Sequence, residues 1–188
     1  MFMHSNFIFV IAATAFSFAR PAVLFTQVSD PITDPIAYAI YAKVLPARWA
    51  GILKGPMLLR QETWVPSGCS IFGVARDDPE WVAIEDDFRR ANLRVRILQP
   101  VLPIDIPYRL IPQAEINAEG ARLAAKYPGI WNRRPEQTDY ASVSAVGFNP
   151  TKTKAVVHVS VGQSGEYVGM ELRDGTWVEA RGGCGWII

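Results

Sequence analysis

The stretch that decides the fold is YASVSAVGFNPTKTKAVVHVSVGQSGEYVGMELRDGTWVEARG, residues 140–182. Four runs rich in β-branched and aromatic residues are separated by three turn signals, at Asn149-Pro150, residues 162–165 and Asp174-Gly175. Asp-Gly between two such runs is a strong hairpin signal. The sequence therefore predicts an antiparallel β-meander with one apolar face and one polar face.

The register of this meander is constrained because a slip of one residue moves every side chain to the other face. Apolar or small residues share one face when Val143 lies opposite Val159 and Val157 lies opposite Met170. In the last hairpin the same criterion places Glu171 opposite Glu179. The other face then holds the polar and aromatic residues Ser142, Ser144, His158, Ser160, Tyr167, Glu171, Trp177, Glu179 and Arg181.

Two interpretations of that polar face compete. It is either the solvated side of a half-buried sheet, which is common among antiparallel sheets, or the wall of a pocket. In the second case Tyr167 and Trp177 form an aromatic wall, and polar groups such as His158 converge on a ligand. The ligand-binding residues predicted on this basis are His158, Ser144, Tyr167, Glu171, Trp177, Glu179 and Arg181.

Two catalytic arrangements on the same face are weaker alternatives. Ser144 and His158 could form a nucleophile and a base with Glu171 or Glu179 as the orienting carboxylate, but the sequence has no GxSxG motif to present the serine. Glu171 and Glu179 could also form a carboxylate pair for glycoside hydrolysis. The alternative is that Glu171 and Glu179 are two exposed glutamates without a catalytic role.

Helices are predicted before the meander. Asp34-Pro35 and Asp78-Pro79 each combine an N-cap acid with proline at the first helical position, and a third helix is expected from about Pro112 to Tyr127. Pro46 is expected to end the first helix. A strand is expected over residues 57–65, with Arg60 and Glu62 on one face.

The N-terminal segment differs from the rest of the chain. Residues 7–18 read FIFVIAATAFSF, an uncharged run too short to span a bilayer as a helix but typical of a secretory signal. Ser17 and Ala19 fit a cleavage site after Ala19, although the segment before the run carries no Lys or Arg. The alternative is a buried strand or helix of a cytosolic protein. We expect a signal peptide over residues 1–19, a single domain over 20–188 and a secreted or periplasmic protein.

Composition excludes several functional classes. With 49% hydrophobic residues, 20% charged residues and a net charge of +1, the chain is expected to fold and to bind neither nucleic acid nor an anionic membrane. No metal-ligand motif occurs, and no cofactor and no integral membrane segment after signal cleavage are expected. Cys69 and Cys184 form a disulfide if the chain is exported; two free thiols are the alternative.

The segments SAVGFNPTKTKAVVHVSV (144–161) and EYVGMELRDGTW (166–177), with IPYRLI (106–111), resemble a group of small exported bacterial proteins of unknown function. Members carry a VGFN turn, a strand of the AlVyV type and a unit ending in rDGxW. The resemblance covers about residues 55–188. It implies export and these strands and turns, and no activity, cofactor or catalytic residue.

The sequence as a whole predicts an α+β fold with three helices on one face of an antiparallel sheet of four to six strands. Helices followed by a curved sheet are also the order of cystatin-like and NTF2-like cones, an analogy of fold alone. The expected function is an exported, non-catalytic binding or interaction module for an unknown small molecule or protein. The alternatives are a hydrolase built on His158, Ser144 and a glutamate, and a structural envelope protein.

Overall fold

The computed structural model of the protein describes residues 30–50, 55–64, 78–129 and 138–187. Within these ranges there are three helices and seven strands. In chain order they are α1 (Pro35–Trp49), β1 (Met57–Arg60), α2 (Pro79–Ala91), β2 (Tyr108–Ile111), α3 (Gln113–Lys126), β3 (Ala141–Val143), β4 (Gly147–Phe148), β5 (Lys154–Val161), β6 (Ser164–Arg173) and β7 (Thr176–Ile187).

All seven strands join one sheet, in the order β2-β1-β3-β5-β6-β7, with β4 also paired to β5. The α+β class is confirmed. The prediction of a purely antiparallel sheet is wrong, because β1 runs parallel to both of its neighbours, β2 and β3. Parallel neighbours need a crossover connection, and α2 and α3 are parts of the two crossovers. The likeness to cystatin-like and NTF2-like cones is not confirmed.

The helix starts agree with the sequence, and one predicted helix end does not. Asp34 caps α1 by accepting a hydrogen bond from the backbone N–H of Ile36 at 2.9 Å, and Asp78 caps α2 in the same way. Helix α1 continues through Pro46 to Trp49. Burial of Leu45 and Trp49 in the core stabilises this last turn and offsets the hydrogen bond that proline cannot donate.

The register of the first hairpin is as predicted, whereas the next two differ. Val143 lies opposite Val159. In the second hairpin Val157 lies opposite Val168 rather than Met170, because the turn holds only two residues and begins at Gly162 with φ +60°. A positive φ at the first central position is what a type II′ hairpin turn requires. The shift is two residues, so each side chain keeps its predicted face.

The predicted register of the third hairpin is wrong by one residue. A shift of one residue moves side chains to the other face of the sheet. Asp174 and Gly175 have φ of +49° and +76° and form a two-residue turn of type I′ that pairs Arg173 with Thr176. Glu171 consequently lies opposite Val178. The predicted pairing of Glu171 with Glu179 is wrong.

Helices cover both faces of the sheet, so the prediction that all three pack on one face is wrong. Helix α1 packs on the apolar face of the sheet. The core between the helix and the sheet includes Tyr41, Leu59, Val157 and Met170. Helix α2 packs on the opposite face, where Trp81, Ile84 and Phe88 contact Val156 and Tyr167. Helix α3 lies beside this second face, next to Leu58.

Several predictions fall outside the described residues. The expected signal segment, residues 1–19, and Cys69 are among them, and so is the side chain of Cys184. No disulfide is seen among the described side chains, and the Cys69–Cys184 bond stays a prediction. None of the three helices described is long and apolar enough to cross a membrane.

Candidate functional site

His158 is on the predicted polar face but is fully buried. Its ring packs edge-on against Tyr167, with centroids 4.9 Å apart, and against Trp64 at 5.7 Å. Neither ring nitrogen has a hydrogen-bond partner among the described residues, and burial lowers the pKa of the imidazole to about 4. His158 is therefore a neutral core residue near pH 7 and is not presented to solvent.

Ser144 lies beside His158 but is not paired with its imidazole. The Ser144 hydroxyl donates to the carbonyl of Ala145 at 2.8 Å and accepts from the backbone N–H of His158 at 2.8 Å. A serine is activated as a nucleophile when its hydroxyl is bonded to a base, and this hydroxyl is bonded to the main chain. The geometry supplies no Ser144–His158 dyad.

The remaining predicted ligand-binding residues are divided between the two faces. Trp177 is part of the core under α1, and Glu179 pairs with Arg48 of α1 at 3.2 Å. Glu171 faces the other side and bonds Arg173 at 2.8 Å. The backbone register sets Arg181 opposite Gly169, and its side chain is outside the described part of the structure. Of the predicted residues whose side chains are described, the structure brings together His158, Ser144 and Tyr167, in the interior.

A different polar row crosses the same face where no helix covers it completely. Ala141 pairs with Leu59, so the next residues, Ser142 and Arg60, point to one face of neighbouring strands. Ser160 lies directly opposite Ser142, and their hydroxyl oxygens are 2.6 Å apart. On the next strand, Gly165 lies opposite Ser160.

This row forms the floor of a pocket of about 180 Å³, which we call the Arg60 pocket. Ile116 of α3, Trp64 and Tyr140 provide apolar and aromatic surfaces around the polar row. The polar, aromatic and apolar character of the pocket comes from lining residues that include Arg60, Trp64, Ile116, Tyr140, Ser142 and Ser160. Aromatic walls with a few fixed polar groups are characteristic of small-molecule sites.

The guanidinium of Arg60 is the unusual group in this pocket. Its Nε–H is buried and has no hydrogen-bond partner among the described residues. Burial lowers the pKa of Arg60 while the charge of Glu62 opposes the shift, and an arginine in a protein stays protonated. A buried donor of a charged group without an acceptor costs stability. Arg60 lines the pocket and forms no ion pair within the described part of the chain, so its guanidinium retains an unused capacity to donate.

Glu62 is committed elsewhere. Its Oε2 accepts a hydrogen bond of 2.9 Å from the backbone N–H of Gln113, the first residue of α3. Helix α3 begins after Pro112, whose side chain makes no capping bond, and the Glu62 carboxylate takes that role. This contact fixes the N-terminal turn of α3, and with it Ile116, beside the row that holds Arg60.

A wider groove of about 400 Å³ adjoins the Arg60 pocket and shares Thr138 and Tyr140 with it. Its charged side chains form ion pairs: Arg109 bonds Glu115 at 2.8 Å, and Arg122 bonds Glu119 at 2.8 Å. The groove is therefore charged but internally neutralised. It provides room for the part of a ligand that extends beyond the Arg60 pocket.

Metal binding has no support in the described part of the chain, where no group of three or more His, Cys, Asp or Glu side chains is placed to hold an ion. The sequence predicts a strand over residues 57–65 with Arg60 and Glu62 on one face, and β1 ends at Arg60. The parallel pairing of β1 with β3, which puts Arg60 beside Ser142, could not be predicted from the sequence. The available signal was the two-residue alternation that puts Leu58 and Arg60 on one face of the strand and Leu59 on the other.

Comparison of the chain with protein-family models, with curated protein sequences and with solved structures finds no match.

Proposed function

We propose that the protein is an exported, non-catalytic binding module that holds a small molecule in the Arg60 pocket. The observation that carries the proposal is the pocket itself, which combines the aromatic residues Trp64 and Tyr140 with Arg60 and two serines. Export is supported by the apolar run over residues 7–18.

The chemistry of the pocket favours binding over catalysis. Ser142 and Ser160 bond to each other, and His158 lies beneath the surface, where no described residue is a partner for its ring nitrogens. Catalysis by a serine needs a base in hydrogen-bond contact with its hydroxyl. A guanidinium with an unused N–H, by contrast, can hold and orient a ligand without any reaction.

The test is a fragment screen by ¹H–¹⁵N NMR on the folded chain, with neutral, anionic and cationic aromatic compounds of about ten heavy atoms, a size that suits a small pocket. Hits should shift the amide signals of Tyr140, Ser142 and Ser160. Ile116→Trp extends a side chain of α3 into the pocket and should abolish these shifts.

Ala121→Trp is the matched control, since Ala121 is on the exposed side of the same helix. This variant should bind as the parent does. If Ile116→Trp and the parent give the same shifts, or if no compound of the three charge classes moves these signals, the proposed function is wrong.

A further inference from the structure

We infer that the ligand of the Arg60 pocket is a small organic anion, held through a carboxylate by the Arg60 guanidinium and the Ser142–Ser160 hydroxyl pair. This inference rests on the proposed function, because it names the chemical class of the molecule that the pocket binds.

The floor of the pocket carries a surplus of hydrogen-bond donors. The buried Nε–H of Arg60 has no acceptor among the described residues. Ser142 and Ser160 together carry two hydroxyl protons, and the single bond between their oxygens uses one of them. The second proton has no acceptor among the described side chains. A ligand that satisfies this floor must accept hydrogen bonds.

The positive charge of Arg60 also favours an anionic ligand. Arg60 forms no ion pair within 4 Å in the described part of the chain, whereas the arginines of the neighbouring groove, Arg109 and Arg122, are both paired. Glu62 attracts the Arg60 guanidinium, but its Oε2 accepts a hydrogen bond from the backbone N–H of Gln113 at the N-terminus of α3. An incoming carboxylate would therefore meet an arginine that does not have to release a partner.

The shape of the pocket favours a carboxylate that is attached to a flat apolar group. Arginine presents a planar array of N–H groups that matches a carboxylate with two hydrogen bonds. The aromatic rings of Trp64 and Tyr140 and the side chain of Ile116 leave an apolar compartment next to that array. A carboxylate attached to a flat apolar group satisfies both surfaces at once, which a free inorganic ion does not.

One carboxylate of the protein also lines the pocket, and its position gives the ligand a direction. Asp139 lies at the β5–β6 hairpin, where its Oδ1 would be 3.2 Å from a Cβ on Gly162, and it is itself engaged in an interaction. The anionic end of the ligand is expected at Arg60, whose charge has no ion-pair partner among the described residues, and not at Asp139, which is itself a carboxylate.

The experiment compares benzoate with benzamide, a neutral compound of nearly the same shape, by calorimetric or NMR titration of the full chain. We expect benzoate to bind at least about tenfold more tightly, since a hydrogen bond to a charged group contributes that much or more. The side-chain Nε–H signal of Arg60 should move during the benzoate titration. Acetate should bind more weakly than benzoate because it leaves the aromatic surfaces uncovered.

Arg60→Met keeps an unbranched, mainly apolar side chain on the strand and removes the charge. It should reduce benzoate binding at least about tenfold and benzamide binding much less, because benzamide loses only a hydrogen bond of a neutral acceptor, while circular dichroism confirms that the variant is folded. Arg109→Met, at a paired arginine of the groove, is the control and should keep the preference for benzoate.

The two proposals fail separately. Equal affinity for benzoate and benzamide, or a preference that survives Arg60→Met, would overturn the anion assignment and leave the pocket as a site for a neutral ligand. Loss of both compounds on Ile116→Trp would still support the pocket. Binding of both compounds that is indifferent to Ile116→Trp would overturn the proposed function.

Discussion

Gly147 of β4 lies against the backbone of Phe88 in α2, so closely that a Cβ atom at position 147 would be 2.5 Å from the Cα of Phe88. This contact joins α2 to the sheet, because Phe88 is also packed on Tyr167 with ring centroids 5.8 Å apart. Helix α2 is thus held at a distance that only glycine permits.

Gly147→Ala should lower the free energy of unfolding by about 3 kcal/mol, since the helix has to move to accommodate the methyl group. Chemical denaturation measures the change. Gly120→Ala is the matched control, because Gly120 is an exposed helical glycine with open space around its Cα. It should raise the free energy of unfolding by about 0.5–1 kcal/mol. Equal effects of the two substitutions would contradict the tight contact.

Asn92 should be a second determinant of the position of α2. Its side-chain amide donates to the carbonyls of Phe88 and Ala145, and its Oδ1 accepts from the N–H of Ala145. Asn92→Ala should lower the free energy of unfolding by about 1–3 kcal/mol, because main-chain groups lose their partners. Asn117→Ala, at an exposed position of α3, should change it by less than about 0.5 kcal/mol; similar losses for both would refute this role.

His158 should make the stability depend on pH between 6.5 and 4. Burial lowers its pKa from 6.5 to about 4, so over this interval the unfolded chain binds a proton that the folded chain does not. The free energy of unfolding therefore falls as the pH is lowered, by about 3 kcal/mol in total. The part of the free energy of unfolding that depends on a neutral His158 is fully present above pH 6.5 and is lost by pH 4.

The measurement is urea denaturation of the parent and of His158→Met at several pH values. Both proteins carry the same carboxylates, so the difference between their curves isolates the imidazole. We expect the variant to lose less stability on acidification. Parallel curves would show that His158 does not titrate as its burial implies.

Much of the fold could be predicted from local pattern. The caps at Asp34 and Asp78 and the alternation in β3 and β5 are encoded within a few residues of the chain. The predicted register of the last hairpin matches apolar residues across the two strands, and this criterion gives the wrong pairing. Asp174 and Gly175 allow only a two-residue loop, which places Arg173 opposite Thr176. The turn residues were the better guide to register.

The candidate site could be predicted only in part, because its residues come together through long-range pairing. Arg60 reaches Ser142 by the parallel pairing of β1 with β3, which has no local signature. Irregularities in β6–β7 pairing, between Glu166 and Val168 and between Gly169 and Met170, are equally hard to read from sequence. His158 lies on the predicted face, but its burial could not be predicted, because its cover consists of Trp64 and Tyr167 and the packing of Trp64 is not local.

The position of β1 in the sheet has a consequence for how the newly made chain folds. β1 borders β3, and α1 packs on strands made much later, as in the hydrogen bond from Tyr41 to the carbonyl of Ser144, 103 residues away in sequence. A nascent chain ending before β3 lacks the strands β3, β5 and β6, which supply much of the surface that buries α1. We expect folding to be delayed until the last strands leave the ribosome, so N-terminal fragments should remain targets for chaperones and proteases.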